Sequence, residues 1–304
     1  MSSGAIIVTY NPDNSVHALV QALSGQVHKV VVVDNTPGSQ RLSLLGVHAN
    51  IKVVANGNNR GIATALNQGM EELRKSGCDW CFFFDQDSIV PENYVSEMLA
   101  FAARCRLREK FMIAPDFVDR NSGTPARFTR LTSGLPVTAT CRLDAQDGEL
   151  ISTFAITSGA GLRLRDYGVI GPFRDDFFID FVDSEYCLRA WKLGFKVAVH
   201  CGMCISHAIG ERSVKKFLGL TIKPNNHRAL RRYYIIRNGT RLIVENIGSP
   251  MLVGFFLARF AHEALSMIYE EKRGKKLYAM SVGLWDGLLG NMGQCVPKRV
   301  SSFE

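Results

Sequence analysis

The first hundred residues alternate between short apolar runs and stretches with helical spacing. Apolar runs at residues 5–9, 30–33, 51–54 and 81–84 predict four buried strands. Residues 61–75 instead place apolar side chains three or four positions apart, which predicts a helix. Continuous apolar strands separated by helices are typical of a parallel sheet covered on both faces. The pattern therefore predicts an α/β fold whose mostly parallel sheet binds a nucleotide.

The rest of the chain follows a different pattern. Residues 113–173 mix short apolar runs with glycine, proline and polar positions. Residues 177–193 begin with acids and continue as a helix, and a strand at 196–199 then leads to a loop that holds His207. From residue 225 onward the pattern is helical, basic and aromatic. We expect one α/β unit at 1–222, with halves of about 1–110 and 111–222, and a helical appendage at 223–304.

Net charge and cysteine content exclude few classes of partner or function. The formal net charge is +8, and basic clusters concentrate in the last third of the chain. This sign is compatible with nucleic acid, an anionic membrane surface or phosphorylated substrates. The eight cysteines lack the repeated CxxC spacing of a metal or redox site, and the N-terminus lacks a signal-peptide pattern. We therefore expect reduced thiols in a cytoplasmic protein.

The most apolar stretch, residues 251–268, is interrupted by Arg259, His262 and Glu263. Three such groups are too many for a membrane span, so the stretch is either a packed helix or a helix at a bilayer surface. The basic clusters nearby leave the same two alternatives, a solvated face or a peripheral contact with the inner face of the cell membrane.

Two aspartates follow the fourth predicted strand directly, at positions 85 and 87. Side chains two residues apart point to one side if the strand geometry continues, and open α/β sheets bind ligands at this carboxyl edge. Two neighbouring carboxylates repel each other, and Mg²⁺ or Mn²⁺ shared with substrate phosphates would remove that repulsion. The alternative is a loop whose aspartates only cap the next segment.

Residues 82–88 resemble the DxD motif of family 2 glycosyltransferases, especially the bacterial rhamnosyltransferase group, and the likeness extends over most of the chain. Residues 158–161 with 171–173 resemble the acceptor-side approach of that family, and 177–189 its acidic motif. The resemblance implies the GT-A fold, and Asp85 and Asp87 as metal ligands. It also implies a nucleotide-sugar site formed by Thr9, Tyr10, Asn11, Asp34, Arg60, Gly61, Asn67, Asp85 and Gln86.

Three of these positions also have a physical argument. Asp34 ends a strand that we expect beside the strand of Asp85, where it could accept the imide N–H of uracil or thymine; the alternative is an Asx turn with Asn35. Gly61 begins a helix whose N-terminus favours anions, and Arg60 could add a charge-assisted contact to phosphate. The alternative for both residues is a loop terminus without a ligand.

Transfer to a sugar hydroxyl needs a general base, because the hydroxyl is a poor nucleophile until its proton is removed. The resemblance implies Asp183 as this base, although Val182 stands where the family commonly has another acid. Asp180 remains the competing candidate. Glu185 competes less well, because an acid in the first turn of a helix complements the helix dipole.

Three further roles rest on the resemblance. It implies that His207 completes the metal site through an imidazole nitrogen, although a lone histidine is often structural. Arg212 and Lys215 would neutralise the departing diphosphate, or else belong to a solvated face. The segment 231–238 interleaves basic and aromatic residues. It would grip a lipid carrier at a membrane surface or pack as a helix with its charges outward.

The sequence therefore predicts an inverting, metal-dependent glycosyltransferase. The resemblance implies dTDP-L-rhamnose as donor, with a UDP-sugar as the alternative, and a cell-surface glycan acceptor such as O-antigen, either free or lipid-linked. A nucleotidyltransferase would need a glycine-rich basic loop near the first strand, and residues 9–14 lack one. A nucleic-acid-binding protein would carry basic residues along a recognition element, whereas the acids here gather at strand ends, so we expect no nucleic-acid partner.

Overall fold

The computed structural model describes residues 1–38, 49–120, 123–132, 135–207, 215–217, 220–222 and 226–303, without the side chains of 207, 215–217, 220–222 and 268. Its strands, in chain order, are β1 (Ser3–Thr9), β2 (Lys29–Asp34), β3 (Ile51–Ala55), β4 (Trp80–Asp85), β5 (Phe111–Asp119), β6 (Phe128–Leu131), β7 (Pro136–Ala139), β8 (Glu149–Ser152), β9 (Gly161–Arg163), β10 (Lys196–His207), β11 (Lys215–Phe217) and β12 (Leu220–Ile222). Its α-helices are α1 (Ser15–Ser24), α2 (Ile62–Lys75), α3 (Tyr94–Arg104), α4 (Cys141–Asp144), α5 (Leu164–Ile170), α6 (Val182–Lys192), α7 (Ala229–Glu245), α8 (Pro250–Ser266), α9 (Arg273–Leu289) and α10 (Pro297–Phe303).

Eight strands form the central sheet, in the order β3-β2-β1-β4-β9-β5-β10-β8. Strands β1 to β4 are parallel to one another, and β5 is parallel to β10. The short β9 runs antiparallel between β4 and β5, and β8 runs antiparallel at the edge. The predicted α/β fold with a mostly parallel sheet is confirmed.

The N-terminal strands are buried because helices cover both faces of the sheet. Helix α2 buries the apolar stripe seen in the sequence and packs closely on β1, since a Cβ at Gly69 would lie 2.6 Å from the Ile6 side chain. The register pairs Thr9 with Asp34 and Val8 with Asp85. The carboxyl ends of β1, β2 and β4 therefore meet at one edge.

Two expectations about this sheet need correction. β2 is separated from β4 by β1, so Asp34 lies two strands from Asp85 rather than on the adjacent strand. The strand expected at 196–199 continues to His207, which therefore ends β10 instead of lying in a loop. Pairing with β5 across a register shift between His200 and Cys204 explains this extra length.

The C-terminal helices pack directly against the acidic segment before α6. The ring of Phe178 stacks on Tyr234 of α7 at 5.1 Å, and Phe181 meets Phe256 of α8 at 5.9 Å. None of the described helices is long and apolar enough to cross a membrane, and Arg259, His262 and Glu263 interrupt α8 as expected. The expected boundary at 222/223 stays a prediction, because residues 223–225 lie outside the described ranges.

One cysteine pair contradicts the expectation of reduced thiols. Cys141, at the start of α4, is bonded to Cys201 of β10. The pairing of β8 with β10 brings these cysteines together, although 60 residues separate them in sequence. The other six cysteines are free, and all of these except Cys204 are buried, as expected for small apolar side chains.

Candidate active site

A cleft of about 560 Å³ opens at the edge of the sheet where β4 ends. Its lining includes four aspartates, Asp85, Asp87, Asp180 and Asp183. Helices α7 and α8 supply basic side chains to the same cleft. The carboxylates expected from the sequence thus share one cavity, and cations that the sequence argument missed lie there with them.

Asp85 and Asp87 both line the cleft, as the DxD interpretation requires. Asp85 is the last residue of β4, and Asp87 lies in the turn that follows, where Ser88 N donates to the carbonyl of Asp85 at 3.0 Å. Asp87 accepts a hydrogen bond from Arg120 Nη2 at 2.9 Å, and this ion pair is partly exposed. Arg120 thus supplies a positive charge next to the carboxylate pair.

The side chains near Asp85 and Asp87 indicate how a divalent cation would be bound. Among the described residues, no group of three or more histidine, cysteine or acidic side chains could hold a metal ion. Two carboxylates in a cleft suit Mg²⁺ or Mn²⁺ that takes its other ligands from substrate phosphates and water. The residues therefore fit a metal bound together with a diphosphate. The side chain of His207, expected to complete the site, lies outside the described residues.

The segment from Phe177 to Asp183, here called the acid loop, has an unusual backbone. Phe178, Asp180 and Phe181 have φ angles of 62°, 62° and 60°. Ile179 N donates to the carbonyl of Phe177 at 2.7 Å, which closes a γ-turn around Phe178. Non-glycine residues in this region are strained, and such strain persists only where surrounding structure enforces it.

Helix α7 supplies that enforcement through Arg237 and Asn238, both fully buried. The Asn238 amide donates to the carbonyls of Phe177, Ile179 and Asp180 at 2.8 to 2.9 Å. Arg237 Nη2 donates to the carbonyl of Phe177 at 3.0 Å, and Arg237 Nε donates to Asn238 Oδ1 at 2.9 Å. The two residues hold the acid loop by its backbone oxygens.

The 231–238 segment packs as part of helix α7, as one of the two alternatives expected, but two of its arginines do not point outward. Arg232 and Arg237 are fully buried, so they neither reach a lipid carrier nor extend outward. Arg232 forms ion pairs with Glu263 and Glu270, because α7 lies against α8, α9 and the acid loop together. Of the three arginines in this segment, Arg231 is the one that lines the cleft.

Arg231 distinguishes the two candidate bases, because it pairs with Asp180. Its guanidinium forms a two-point ion pair with Asp180, with distances of 3.0 to 3.2 Å. Burial lowers the pKa of Arg231, but the charges of Asp180, Glu263 and Asp85 raise it above its ordinary value overall. Both carboxylate oxygens of Asp180 are therefore engaged by a cation.

Asp183 has the opposite environment. Burial raises the pKa of its carboxyl above the ordinary value, and the charge of Asp180 adds to this effect. The hydrogen bonds from Ser184 and the charge of Arg259 act in the other direction. A raised pKa makes a carboxylate a better proton acceptor near neutral pH. Glu185, by contrast, is buried and bound to Arg189 at 2.9 Å.

The loops after β1 and β2 form one connected network. Thr9 Oγ1 donates to Asp34 Oδ1 at 3.0 Å, and the same oxygen accepts from the backbone N–H and the hydroxyl of Thr36. Tyr10 N donates to Gln86 Oε1, and Asn11 N donates to Thr36 Oγ1, both at 2.8 Å. The Asx turn considered for Asp34 is thus present, with Asn35 as its middle residue. Asp34 Oδ2 takes no part in these hydrogen bonds and is the oxygen that a nucleotide base would meet.

Arg60, Gly61 and Asn67, which we expected near the nucleotide at the start of α2, lie in three different environments. Gly61, with φ of +83°, is buried against Phe178, whose carbonyl accepts from Ile62 N at 2.7 Å. The Phe178 carbonyl therefore accepts from a backbone N–H at the N-terminus of α2 that we expected to bind an anion. Arg60 is exposed.

Asn67 has a structural role. Its amide donates to the carbonyl of Phe173 and to Asp175, and its oxygen accepts from the Tyr167 hydroxyl and from Phe173 N. With all these positions occupied we leave Asn67 out of the donor site, which corrects the sequence-based expectation.

The side chains of Arg212 and Lys215, expected to contact the leaving phosphate, lie outside the described residues. Arg212 is not among the described residues, and Lys215 is described only by its backbone in β11. The described cleft instead contains Arg127, Arg231 and Arg259. No local motif marks Arg127 or Arg259 in the sequence, whereas Arg231 belongs to the segment that the sequence singled out without its correct role.

Comparisons with known proteins agree with this geometry. Residues 5–123 match the family described as Glycosyl transferase family 2. The chain is 29% identical over 296 residues to dTDP-rhamnosyl transferase RfbF of Shigella flexneri, covering 95% of this chain and 96% of that protein.

Solved structures share the fold at low identity. A structure of S. aureus TarS matches with a TM-score of 0.57 at 15% identity, covering 100% of this chain and 50% of that chain. A structure of GalNAc-T7 with UDP, GalNAc and Mn²⁺ matches with a TM-score of 0.55 at 15% identity, covering 72% of this chain and 44% of that chain. This chain thus spans half or less of those two chains, and the likeness concerns the GT-A fold alone.

Proposed function

We propose that this glycosyltransferase transfers L-rhamnose from dTDP-L-rhamnose to a hydroxyl of a cell-surface glycan with inversion of configuration. The match of residues 5–123 to Glycosyl transferase family 2 supports the reaction class. The name of the Shigella flexneri relative, which covers nearly all of both chains, supports this donor. A UDP-sugar remains the second candidate, because the Asp34 edge suits thymine and uracil equally. The observation that carries the proposal is that Asp183 shares one cleft with Asp85 and Asp87.

The proposed reaction is a direct displacement. The acceptor oxygen forms a bond to the anomeric carbon while the bond from that carbon to the diphosphate oxygen breaks. The proton of the acceptor hydroxyl moves to the Asp183 carboxylate, and the nucleoside diphosphate leaves with the bonding electrons. A single carboxylate base without a second carboxylate nucleophile suits inversion, and the pairing of Asp180 with Arg231 supports this assignment of roles.

A divalent ion, when bound, would neutralise charge on the diphosphate as it leaves. Asp85 and Asp87 are the residues that would hold Mg²⁺ or Mn²⁺, and the side chain of His207 remains a proposed third ligand. Arg231 and Arg259 lie in the same cleft and would stabilise the same developing charge. Arg212 and Lys215 remain proposals of the same kind, supported by the family resemblance.

The acceptor is proposed from the chemistry of the site. The cleft contains both charged and aromatic side chains, including Phe128, Phe154 and Phe255. Sugar rings pack their C–H faces against aromatic rings and direct their hydroxyls to polar groups. This lining supports a glycan acceptor such as a growing O-antigen chain, and a lipid-linked form of it would be presented at the cell membrane.

Titration with dTDP and with UDP, each with and without Mn²⁺, tests the donor. We expect tighter binding of dTDP in the presence of Mn²⁺ and no binding to DNA or RNA. A panel of nucleotide sugars should then show dTDP-L-rhamnose as the donor consumed fastest. Preference for a UDP-sugar would replace the proposed donor, and failure to bind any nucleoside diphosphate would overturn the proposed activity.

A further inference from the structure

Helix α9 exposes large apolar side chains and buries small or charged ones, the opposite of an ordinary surface helix. Six of its large apolar side chains are 45 to 63% exposed. Its buried positions are instead small or charged, namely Lys276, Ala279, Gly283, Asp286 and Gly287. The exposed residues, here called the α9 strip, are Leu277, Tyr278, Leu284, Trp285, Leu288 and Leu289.

Contacts with α7 fix this orientation. A Cβ at Gly283 would lie 2.5 Å from the carbonyl oxygen of Tyr233, and a Cβ at Gly287 would lie 2.5 Å from that of Arg237. Only glycine permits such close approach of two helix backbones. Turning the helix to bury its leucines would therefore drive large side chains into α7, so the fold holds the strip outward.

The strip runs along one side of the helix. Its members occur in pairs separated by seven and four positions, which is helical spacing. At 1.5 Å per residue, the distance from Leu277 to Leu289 is about 18 Å. Contiguous exposed apolar surface of this kind marks an interaction site, because exposure to water is unfavourable.

Charge and side-chain chemistry identify the occupant. Lys272, Arg273 and Lys275 are exposed at the N-terminal end of α9, beside one exposed acid, Glu271. All of α9 is described, and its single acid, Asp286, is buried. Tyrosine and tryptophan favour the boundary between water and hydrocarbon, and lysine and arginine bind anionic headgroups. We propose that α9 lies on an anionic lipid surface, with the strip inserted and the three cations at the headgroups.

A second copy of the chain fits the strip less well. A stable interface usually buries about 800 Å² on each partner. A single helix face about 18 Å long and about 10 Å wide offers far less than this. A bilayer needs no matching surface, so a narrow strip with flanking cations is sufficient.

This surface is connected to the cleft through α7. The helix against which α9 packs also carries Arg231, which lines the cleft, and Asn238, which holds the acid loop. Docking would bring the cleft close to a membrane, where a lipid-linked acceptor would be found; that consequence rests on the proposed function. Lipid binding itself does not depend on it.

The test measures binding of the full chain to phosphatidylcholine vesicles with and without phosphatidylglycerol. We expect sedimentation with the anionic vesicles only, and a blue shift of tryptophan emission that Trp285→Phe removes, since Trp80 is buried and Trp191 lies on α6, packed against the core. The double variant Leu284→Gln/Leu288→Gln should reduce binding by at least about tenfold, because two apolar side chains no longer insert. Lys272→Glu/Lys275→Glu should remove the preference for anionic vesicles.

Leu143→Gln/Val169→Gln is the matched control, because these residues are exposed and apolar but lie on α4 and α5. It should bind vesicles like the wild type. Equal vesicle binding by the strip variant and the wild type would overturn the proposal, as would a concentration-dependent dimer that the strip variant abolishes. Release of dTDP from dTDP-L-rhamnose without vesicles should be unchanged in the strip variant, which separates failure of lipid docking from failure of the proposed activity.

Discussion

Asn238 on α7 donates its side-chain amide to the backbone carbonyl of Asp180 at 2.8 Å, across 58 residues of sequence. The same amide reaches the carbonyls of Phe177 and Ile179. The C-terminal helices therefore determine the geometry of the loop that carries both candidate bases.

Replacing Asn238 with alanine should destabilise the protein by about 2 to 4 kcal/mol, because buried carbonyl groups lose their donor. It should also lower kcat more than it raises KM, since the strained acid loop loses its support. Denaturant unfolding and steady-state kinetics measure the two effects. Thr240→Val is the matched control, because the buried Thr240 hydroxyl has no hydrogen-bond partner among the described residues. Equal effects of the two substitutions would contradict the assigned role of Asn238.

Two glycines with positive φ allow the cost of backbone strain to be distinguished from the cost of steric crowding when alanine replaces them. Gly61 and Gly57 have φ angles of +83° and +67°. A Cβ would lie 2.6 Å from the Phe178 carbonyl oxygen at Gly61 but would meet nothing within 4 Å at Gly57. Gly57→Ala should therefore lose about 1 kcal/mol of stability, and Gly61→Ala about 2 to 4 kcal/mol. Unfolding free energies measure both, and similar losses would show that the contact of Gly61 with the acid loop is unimportant.

The raised pKa of Asp183 has a consequence for stability. A carboxyl whose pKa is higher in the folded than in the unfolded protein binds its proton more tightly when folded, so its ionisation at neutral pH disfavours folding. Asp183→Asn should therefore stabilise the protein at neutral pH. The gain should disappear as the pH falls below the pKa of an ordinary aspartate, where the wild-type carboxyl is protonated in both states. Thermal unfolding across this pH range is the measurement, and destabilisation at neutral pH would contradict the direction of the shift.

The ion pair between Arg120 and Asp87 allows a test of metal binding. Asp87→Ala should remove the increase in dTDP affinity that Mn²⁺ produces, because one of two carboxylate ligands is lost. Arg120→Ala should preserve or enlarge that increase, since Asp87 no longer has a competing cation. Calorimetric titration with dTDP, with and without Mn²⁺, compares the two variants. An unchanged response to Mn²⁺ in Asp87→Ala would exclude Asp87 as a ligand.

The spacing of apolar residues along the sequence predicted the strands and the helix of the N-terminal half, because that spacing determines which face of each element is buried. The apolar runs of β1 to β4 and the stripe on α2 predicted the sheet, and the position of Asp85 at the end of β4 predicted its place in the cleft. Sequence could not predict contacts that arise from packing. The ion pair of Asp180 with Arg231 joins residues 51 positions apart, and the Cys141–Cys201 bond spans 60.

The 231–238 segment is a second example of contacts that the sequence could not predict. Its charged residues suggested a surface, because arginine is usually exposed. The fold instead surrounds α7 with α8, α9 and the acid loop, where carbonyl oxygens bind Arg237 and carboxylates form ion pairs with Arg232. Composition indicates that such residues need partners, but only the tertiary structure identifies those partners.

Release of dTDP from dTDP-L-rhamnose in the presence of Mn²⁺, with water as acceptor, tests the central claim most directly. Asp183→Asn should lower kcat by about 10² to 10⁴-fold with little change in dTDP affinity, because the amide cannot accept the proton. Asp180→Asn should retain substantially more activity, since Asp180 is already neutralised by Arg231. Near wild-type turnover by Asp183→Asn, together with an inactive Asp180→Asn, would contradict the account and assign the base to Asp180.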